Sequence, residues 1–179
     1  MIEWLVLAGV AGVLLGVFTT ERDFGKGAFF VKERTMRVLA VSLLGTVVLL
    51  LFDFVIHRRV ILASVILGFV LLLSGASLRI VSRRQLQDDF KYTVVKPKHL
   101  VTTGIYGVIR HPLYVAIFLM WLGSSFALGS AYGIIATFAC VLPALLLRVH
   151  HEEALLRRAF GKKYDAYSRR TPRFVPRFV

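Results

Sequence analysis

Two stretches in the C-terminal half of the chain hold residue types that can do chemistry. The first is Lys98-His-Leu-Val-Thr-Thr-Gly-Ile-Tyr-Gly-Val-Ile-Arg-His-Pro-Leu-Tyr114. Pro112 suits the first turn of a helix, where its missing N–H costs nothing. The residue before a proline is pushed out of the helical region, so His111 is expected to be extended. Free backbone N–H groups at that helix start favour an anionic ligand group such as a carboxylate. Gly104 and Gly107 permit a tight turn that brings backbone close to a ligand. Alone, this stretch reads as a weak anion site.

The second stretch is Arg148-Val-His-His-Glu-Glu-Ala-Leu-Leu-Arg-Arg-Ala-Phe160, with no helix breaker before Gly161. Arg148, Glu152 and Leu155 follow i, i+4, i+7 spacing and share one helix face. On an ordinary surface an Arg–Glu pair of this kind contributes only some tenths of a kcal/mol, about 0.2–0.5. At the end of a membrane helix, ionisable groups are expensive and mark function. Cys140 is the only cysteine, which excludes an internal disulfide, a cysteine-based zinc site and a redox pair. No metal site is expected. No Gly-x-Gly-x-x-Gly turn follows a strand, so a Rossmann-type cofactor site is absent.

The elements that must position these residues are membrane helices. Of 179 residues, 57% are hydrophobic, and they lie in long runs. The runs are Trp4–Phe18, Val38–Ile56 (broken only by Asp53), Val60–Leu78, Leu113–Ser130 and Ala131–Leu147. A crossing helix needs about 20 apolar residues, with a range of about 17–25. The first run is short and needs its flanks; the other four come close to the requirement. The first run also lacks the basic start of a signal peptide. The expected fold is therefore all-α and integral to the membrane, a bundle of about five transmembrane helices. Helix five continues past the membrane as an amphipathic extension to Phe160, with Gly161 as its C-cap and Pro143 as a kink point. Gly12 and Gly16 form a small-xxx-small pair suited to close helix packing. Residues 1–80 read as three N-terminal helices. Residues 81–179 read as a catalytic region comprising a loop, a helical hairpin over 113–149 and the extension.

The net charge of +13 raises the question of a nucleic-acid partner. Sorted by segment, 5 Lys/Arg fall in 19–37, 7 in 79–112 and 9 from Arg148 onward, so 21 of 23 lie on one side of the five helices. Cytoplasmic loops carry that excess. The expected topology has the N-terminus outside, with the C-terminus and both chemistry-bearing stretches in the cytoplasm. The charge then sets topology and contact with anionic headgroups, and no nucleic-acid partner is expected.

The Gly-Ile-Tyr…Arg-His-Pro-Leu-Tyr core, His-Glu-Glu-Ala-Leu-Leu-Arg-Arg-Ala-Phe-Gly-Lys-Lys-Tyr-Asp-Ala-Tyr (151–167) and Pro-Arg-Phe-Val-Pro (172–176) stand in that order around a helical hairpin. Over about residues 90–179 the combination resembles the isoprenylcysteine carboxyl methyltransferase family and related integral-membrane phospholipid methyltransferases. The resemblance implies S-adenosylmethionine as methyl donor, held at the cytoplasmic end of the last two helices. It carries cofactor contacts onto Lys98, His99, Leu100, Val101, Tyr106, His111, Pro112, Leu113, Tyr114 and Glu152, and substrate contact onto Arg148. A glutamine that assists in some members falls near Lys91, where this chain departs from the pattern.

The residues fit these roles. A helix start at His111–Tyr114 takes a carboxylate, Glu152 takes an ammonium or another donor, and Tyr106 and Tyr114 can stack or face a cation. The expected reaction moves the methyl group to a lipophilic small-molecule or lipid-anchored acceptor. Arg148 orients a carboxylate or thiolate; an amine acceptor needs a base, for which Glu152, Glu153 and His151 are candidates. Two rivals remain at this point: an NADPH-dependent membrane reductase of the sterol type, with a similar Arg-His-Pro-x-Tyr element, and a non-catalytic membrane protein.

Overall fold

The computed structural model describes residues 1–19, 34–57, 61–86 and 99–176, and within them every regular element is helical. The long helices are α1 (Ile2–Thr19), α2 (Arg34–His57), α3 (Leu62–Leu86), α5 (Pro112–Ala127) and α7 (Leu142–Phe160). Three short ones join or follow them: α4 (Ile105–Val108), α6 (Ala131–Ala136) and α8 (Lys162–Arg170). The sharp turn between α5 and α6 uses Gly129 at φ 61°, and Ser130 caps α6 by accepting the Gly133 N–H at 2.9 Å.

A π-helical turn, Thr137–Val141, links α6 to α7 and makes Ala131–Phe160 one rod of 30 residues. The irregularity expected at Pro143 thus begins before the proline. The wider turn opens the backbone ladder just where the proline ring would press on a preceding carbonyl. Gly161, at φ 51°, ends α7 and passes the chain into α8, as its position after the last apolar turn predicts.

α2, α3 and the Ala131–Phe160 rod are long and apolar enough to cross a bilayer. The apolar stretches of α1 and α5, Ile2–Val17 and Pro112–Ala127, are shorter. The outward faces are apolar, with Val41, Leu44 and Ile135 all over 60% exposed, the inverse of a water-soluble bundle. Inside, Phe54, Leu72, Val141, Leu145 and Met120 form the core.

Without a hydrophobic drive between helices in lipid, association depends on close contact. The α3–α5 seam has that contact. A Cβ on Gly68 would come within 2.2 Å of the Ala127 backbone nitrogen, and one on Gly123 within 2.5 Å of the Leu72 nitrogen. Gly75 likewise faces the Ala116 carbonyl, 2.8 Å from where its Cβ would stand. On α1, where the spacing predicts a packing pair, a Cβ on Gly12 or Gly16 would meet nothing within 4 Å among the described residues. Spacing alone does not distinguish a glycine at a seam from one facing lipid.

Candidate active site

The first chemistry-bearing stretch folds as a hinge between α3 and α5. Gly104 takes φ 59°, and any side chain there would overlap the Gln85 amide. Gln85, at the end of α3, accepts the Ile105 N–H at 2.9 Å and so fixes the start of α4. α4 buries the Tyr106 side chain. The Tyr106 carbonyl accepts a 2.6 Å bond from the Tyr167 hydroxyl on α8. The Tyr106 hydroxyl is buried and has no hydrogen-bond partner among the described residues. Burial first, then the negative charge of Glu152, holds the phenol well above its usual range. Tyr106 therefore stays a neutral O–H donor, buried near enough to Glu152 to feel its charge.

α5 begins with Pro112 as predicted, and His111 is the N-cap. The His111 backbone, φ −124° and ψ 55°, stops short of the extended conformation because its carbonyl already accepts the Tyr114 and Val115 N–H groups. His111 provides no side-chain cap. The Leu113 N–H meets no acceptor among the described residues, which leaves one first-turn donor free.

On α7 the two adjacent glutamates have different surroundings. Glu152 is half-buried and accepts a short hydrogen bond from the Tyr114 hydroxyl. Arg148, 3% exposed, also reaches that hydroxyl and donates to Thr35 Oγ1 on α2 at 3.2 Å. The i, i+4 pair read from the sequence is thus joined through Tyr114. Glu153, 1% exposed, faces the other way. It accepts from Arg173 Nε at 3.1 Å and Nη2 at 2.6 Å, and lies 3.1 Å from Arg110 Nη2 and 3.2 Å from His111 Nε2. The bonds to Glu153 hold the Arg173 guanidinium above its ordinary range.

Around Glu153 the C-terminal segment is strapped to the α5 start. Arg110 N–H donates to the Pro172 carbonyl at 2.9 Å, and His111 N–H to the Arg173 carbonyl at 3.1 Å. Arg110 Nη1 donates to the Ser168 carbonyl at 3.2 Å, and the Phe174 ring lies 6.1 Å from that of His111. Arg173, Tyr167 and Gln85 are site-building residues to which the sequence assigned no role, and Glu153, a candidate base in the sequence, builds the site as an anchor instead. A signal existed for Glu153: Leu145, Val149 and Glu153 fall at i, i+4, i+8, so an acid sits on the buried stripe of α7.

The structure brings together Tyr106, His111, Pro112, Leu113, Tyr114, Arg148 and Glu152 at one end of the bundle. Glu153 is enclosed by three cationic or imidazole partners, a poor position for a base. His99, Leu100 and Val101 precede the Gly104 turn, with His99 exposed and the other two half-buried. Lys98 and Lys91 lie outside the described residues. Among the described residues no group of three His, Cys, Asp or Glu can hold a metal.

A phospholipid methyltransferase family model matches residues 63–163, more than half of the chain. The chain belongs to that family. Its relatives include a protein-S-isoprenylcysteine O-methyltransferase of Schizosaccharomyces pombe, 32% identical over 114 residues, 62% of this chain and 48% of that protein. Another is the nickel-cobalt-cadmium resistance protein NccN of Alcaligenes xylosoxydans xylosoxydans, 42% identical over 85 residues, 46% of this chain and 38% of that one. The chain therefore spans about half, or less, of the length of these relatives. The eukaryotic intramembrane Ras methyltransferase, isoprenylcysteine carboxyl methyltransferase, has the same fold: TM-score 0.76 at 20% identity, over 97% of this chain and 67% of that one. Family membership, the shared fold and three helices long and apolar enough to cross a bilayer agree with one another.

Proposed function

We propose that this chain transfers the methyl group of S-adenosylmethionine to an anionic, lipophilic acceptor, of which an isoprenylcysteine-type carboxylate is the favoured class. The observation that carries the reading is the cluster of Tyr106, Tyr114, Glu152 and buried Arg148 at one end of the bundle. It combines an orphaned donor, a carboxylate and a desolvated cation within two turns of α7. The isoprenylcysteine O-methyltransferases among the relatives point to the same chemistry.

The residues fit such a cofactor. The orphaned Tyr106 hydroxyl and the free Leu113 N–H are donors in need of an acceptor, and the Glu152 carboxylate is an acceptor for an ammonium group. His99, Leu100, Val101, His111 and Pro112, with Lys98 before them, form the remaining cofactor wall in this reading. S-adenosylmethionine supplies an electrophilic methyl group on a sulfonium, an excellent leaving group. The chain's own task is to align the acceptor and exclude water, which contributes several kcal/mol, up to about 7–11. Arg148 holds the acceptor oxygen by charge-assisted hydrogen bonds. A carboxylate needs no base, and none is assigned here. Glu153 holds His111 and the strap in place.

In this reading five helices cross the membrane, with α1 and α5 as the short ones. At 16 residues α5 is about 24 Å long and starts below the headgroups, leaving Tyr114 and Arg148 at the edge of the hydrocarbon core. The N-terminus lies outside and the site faces the cytoplasm, since basic residues crowd that side. Residues 1–80 frame a catalytic region over 81–179. The acceptor enters sideways from lipid and the cofactor from water.

Incubation of the purified protein with methyl-labelled S-adenosylmethionine and a membrane lipid extract tests the reading. Label is expected in the organic phase with wild type and not with Arg148→Ala or Glu152→Ala. Equal incorporation in all three overturns the assignment. Stabilisation by NADPH in place of S-adenosylhomocysteine favours a reductase instead.

A further inference from the structure

We propose that Thr35, in the first turn of α2, is a second recognition residue for the acceptor, so that the N-terminal helices take part in substrate choice. The inference rests on the function proposed above and deepens it. Thr35 lies outside residues 63–163, where the family model matches. Its Oγ1 accepts from Arg148 Nη1 at 3.2 Å, across 113 residues of sequence.

A threonine hydroxyl has one proton to donate besides its lone pairs. The Thr35 lone pair serves Arg148, and among the described residues no acceptor takes the Thr35 proton. An anionic oxygen lying against the Arg148 guanidinium therefore meets a neutral O–H donor beside the cation. The position on α7 is also informative. Arg148 stands four residues before Glu152, about 6 Å along the axis toward the bilayer. The Glu152 end of the cluster, with Tyr106 and the α5 start, suits the water-soluble cofactor. The Arg148–Thr35 end suits a headgroup held at the membrane edge, with its tail in lipid along α2. Arg148 is 3% exposed, so its hydrogen-bond partners act in a low dielectric where a misplaced guanidinium is costly. Thr35 thus both fixes the direction of Arg148 and offers a second donor.

Thr35→Val keeps the shape and removes the hydroxyl; Thr35→Ser restores it. The probes are an S-prenylated N-acylcysteine with a free carboxylate, phosphatidylethanolamine vesicles as an amine acceptor, and S-adenosylhomocysteine. For Thr35→Val the KM for the carboxylate probe is expected to rise about tenfold, the scale of one lost hydrogen bond to a charged group. The KM for S-adenosylmethionine and the affinity for S-adenosylhomocysteine should stay within about twofold, and Thr35→Ser should return the acceptor KM to within about twofold of wild type. An unchanged acceptor KM in Thr35→Val overturns the proposal. So does a parallel loss of S-adenosylhomocysteine affinity, which indicates a structural role. Wild type that binds S-adenosylhomocysteine and methylates only the amine lipid overturns the anionic-acceptor role of Thr35 while leaving the methyltransferase reading intact. Wild type that neither binds S-adenosylhomocysteine nor transfers a methyl group overturns the proposed function, and this inference with it.

Discussion

The bundle has a polar centre at each end, and the two differ in what they leave unsatisfied. Away from the candidate site, Asp53 of α2 is 5% exposed and fully engaged. Its Oδ2 accepts from Ser130 Oγ at 2.7 Å and from the Tyr132 N–H at 3.4 Å, and its Oδ1 lies 2.5 Å from His57 Nδ1. Ser130 in turn caps α6. Each group there has its partner, and the effect is to lock α2 onto the α5–α6 turn. Serine, aspartate and histidine are the types of a hydrolytic triad, but the aspartate stands between the other two, so no imidazole reaches the hydroxyl to take its proton. At the other end Tyr106 keeps a buried hydroxyl that has no hydrogen-bond partner among the described residues, close to the buried Arg148 and the half-buried Glu152. A centre complete in itself holds a fold together; one with buried groups left over is arranged for something that arrives.

Five substitutions test that contrast. The largest effect is expected for Arg148→Ala and Glu152→Ala, with methyl transfer falling about 100- to 1,000-fold, as for loss of one buried group that steers a reacting charge. Their melting temperatures in detergent should stay near wild type. Next is Glu153→Ala, which leaves Arg110 and His111 buried without their carboxylate. It should destabilise the protein by about 3 kcal/mol, read by thermal unfolding, and expose 171–176 to protease. Arg173 is half exposed and contributes little of that loss. Asp53→Ala strands the Ser130 hydroxyl and the Tyr132 N–H and should cost about 1–3 kcal/mol of stability. Transfer activity, assayed below the new melting temperature, should be unchanged; a large activity loss there would erase the distinction between the two ends. The smallest effect belongs to Tyr106→Phe. Removing a hydroxyl that has no partner among the described residues should leave the stability of the free protein within about 0.5 kcal/mol, yet weaken S-adenosylhomocysteine binding about tenfold.

Much of this arrangement is legible in the sequence, because helix periodicity, a proline and a glycine each act locally. Pro112 starts α5 and Gly161 ends α7 where their backbone limits require. Tyr114, Arg148 and Glu152 meet because i, i+4 spacing on one helix faces one tyrosine on the next. What was not legible depends on contacts between distant segments. Gly68, Gly75 and Gly123 carry the tight seam, and the more obvious Gly12–Gly16 pair does not, since only a neighbouring backbone makes a glycine necessary. Glu152 and Glu153 are adjacent and chemically identical. Their separation into a site residue and a strap anchor follows from a rotation of about 100° on the helix, which puts one toward Tyr114 and the other toward Arg110 and Arg173. The π-helical turn before Pro143 and the Gln85–Ile105 bond likewise follow from packing that no short motif records.

The central claim is that the unsatisfied end of the bundle is a methyl-donor site. Thermal unfolding of the detergent-purified protein with and without S-adenosylhomocysteine tests it most directly. At a ligand concentration about 100 times Kd, wild type should gain about 2.7 kcal/mol, and Tyr106→Phe clearly less at the same concentration. Asp53→Ala, though less stable from the start, should gain as much as wild type. No gain in wild type, or an equal gain in wild type and Tyr106→Phe with a lost gain in Asp53→Ala, would contradict the account.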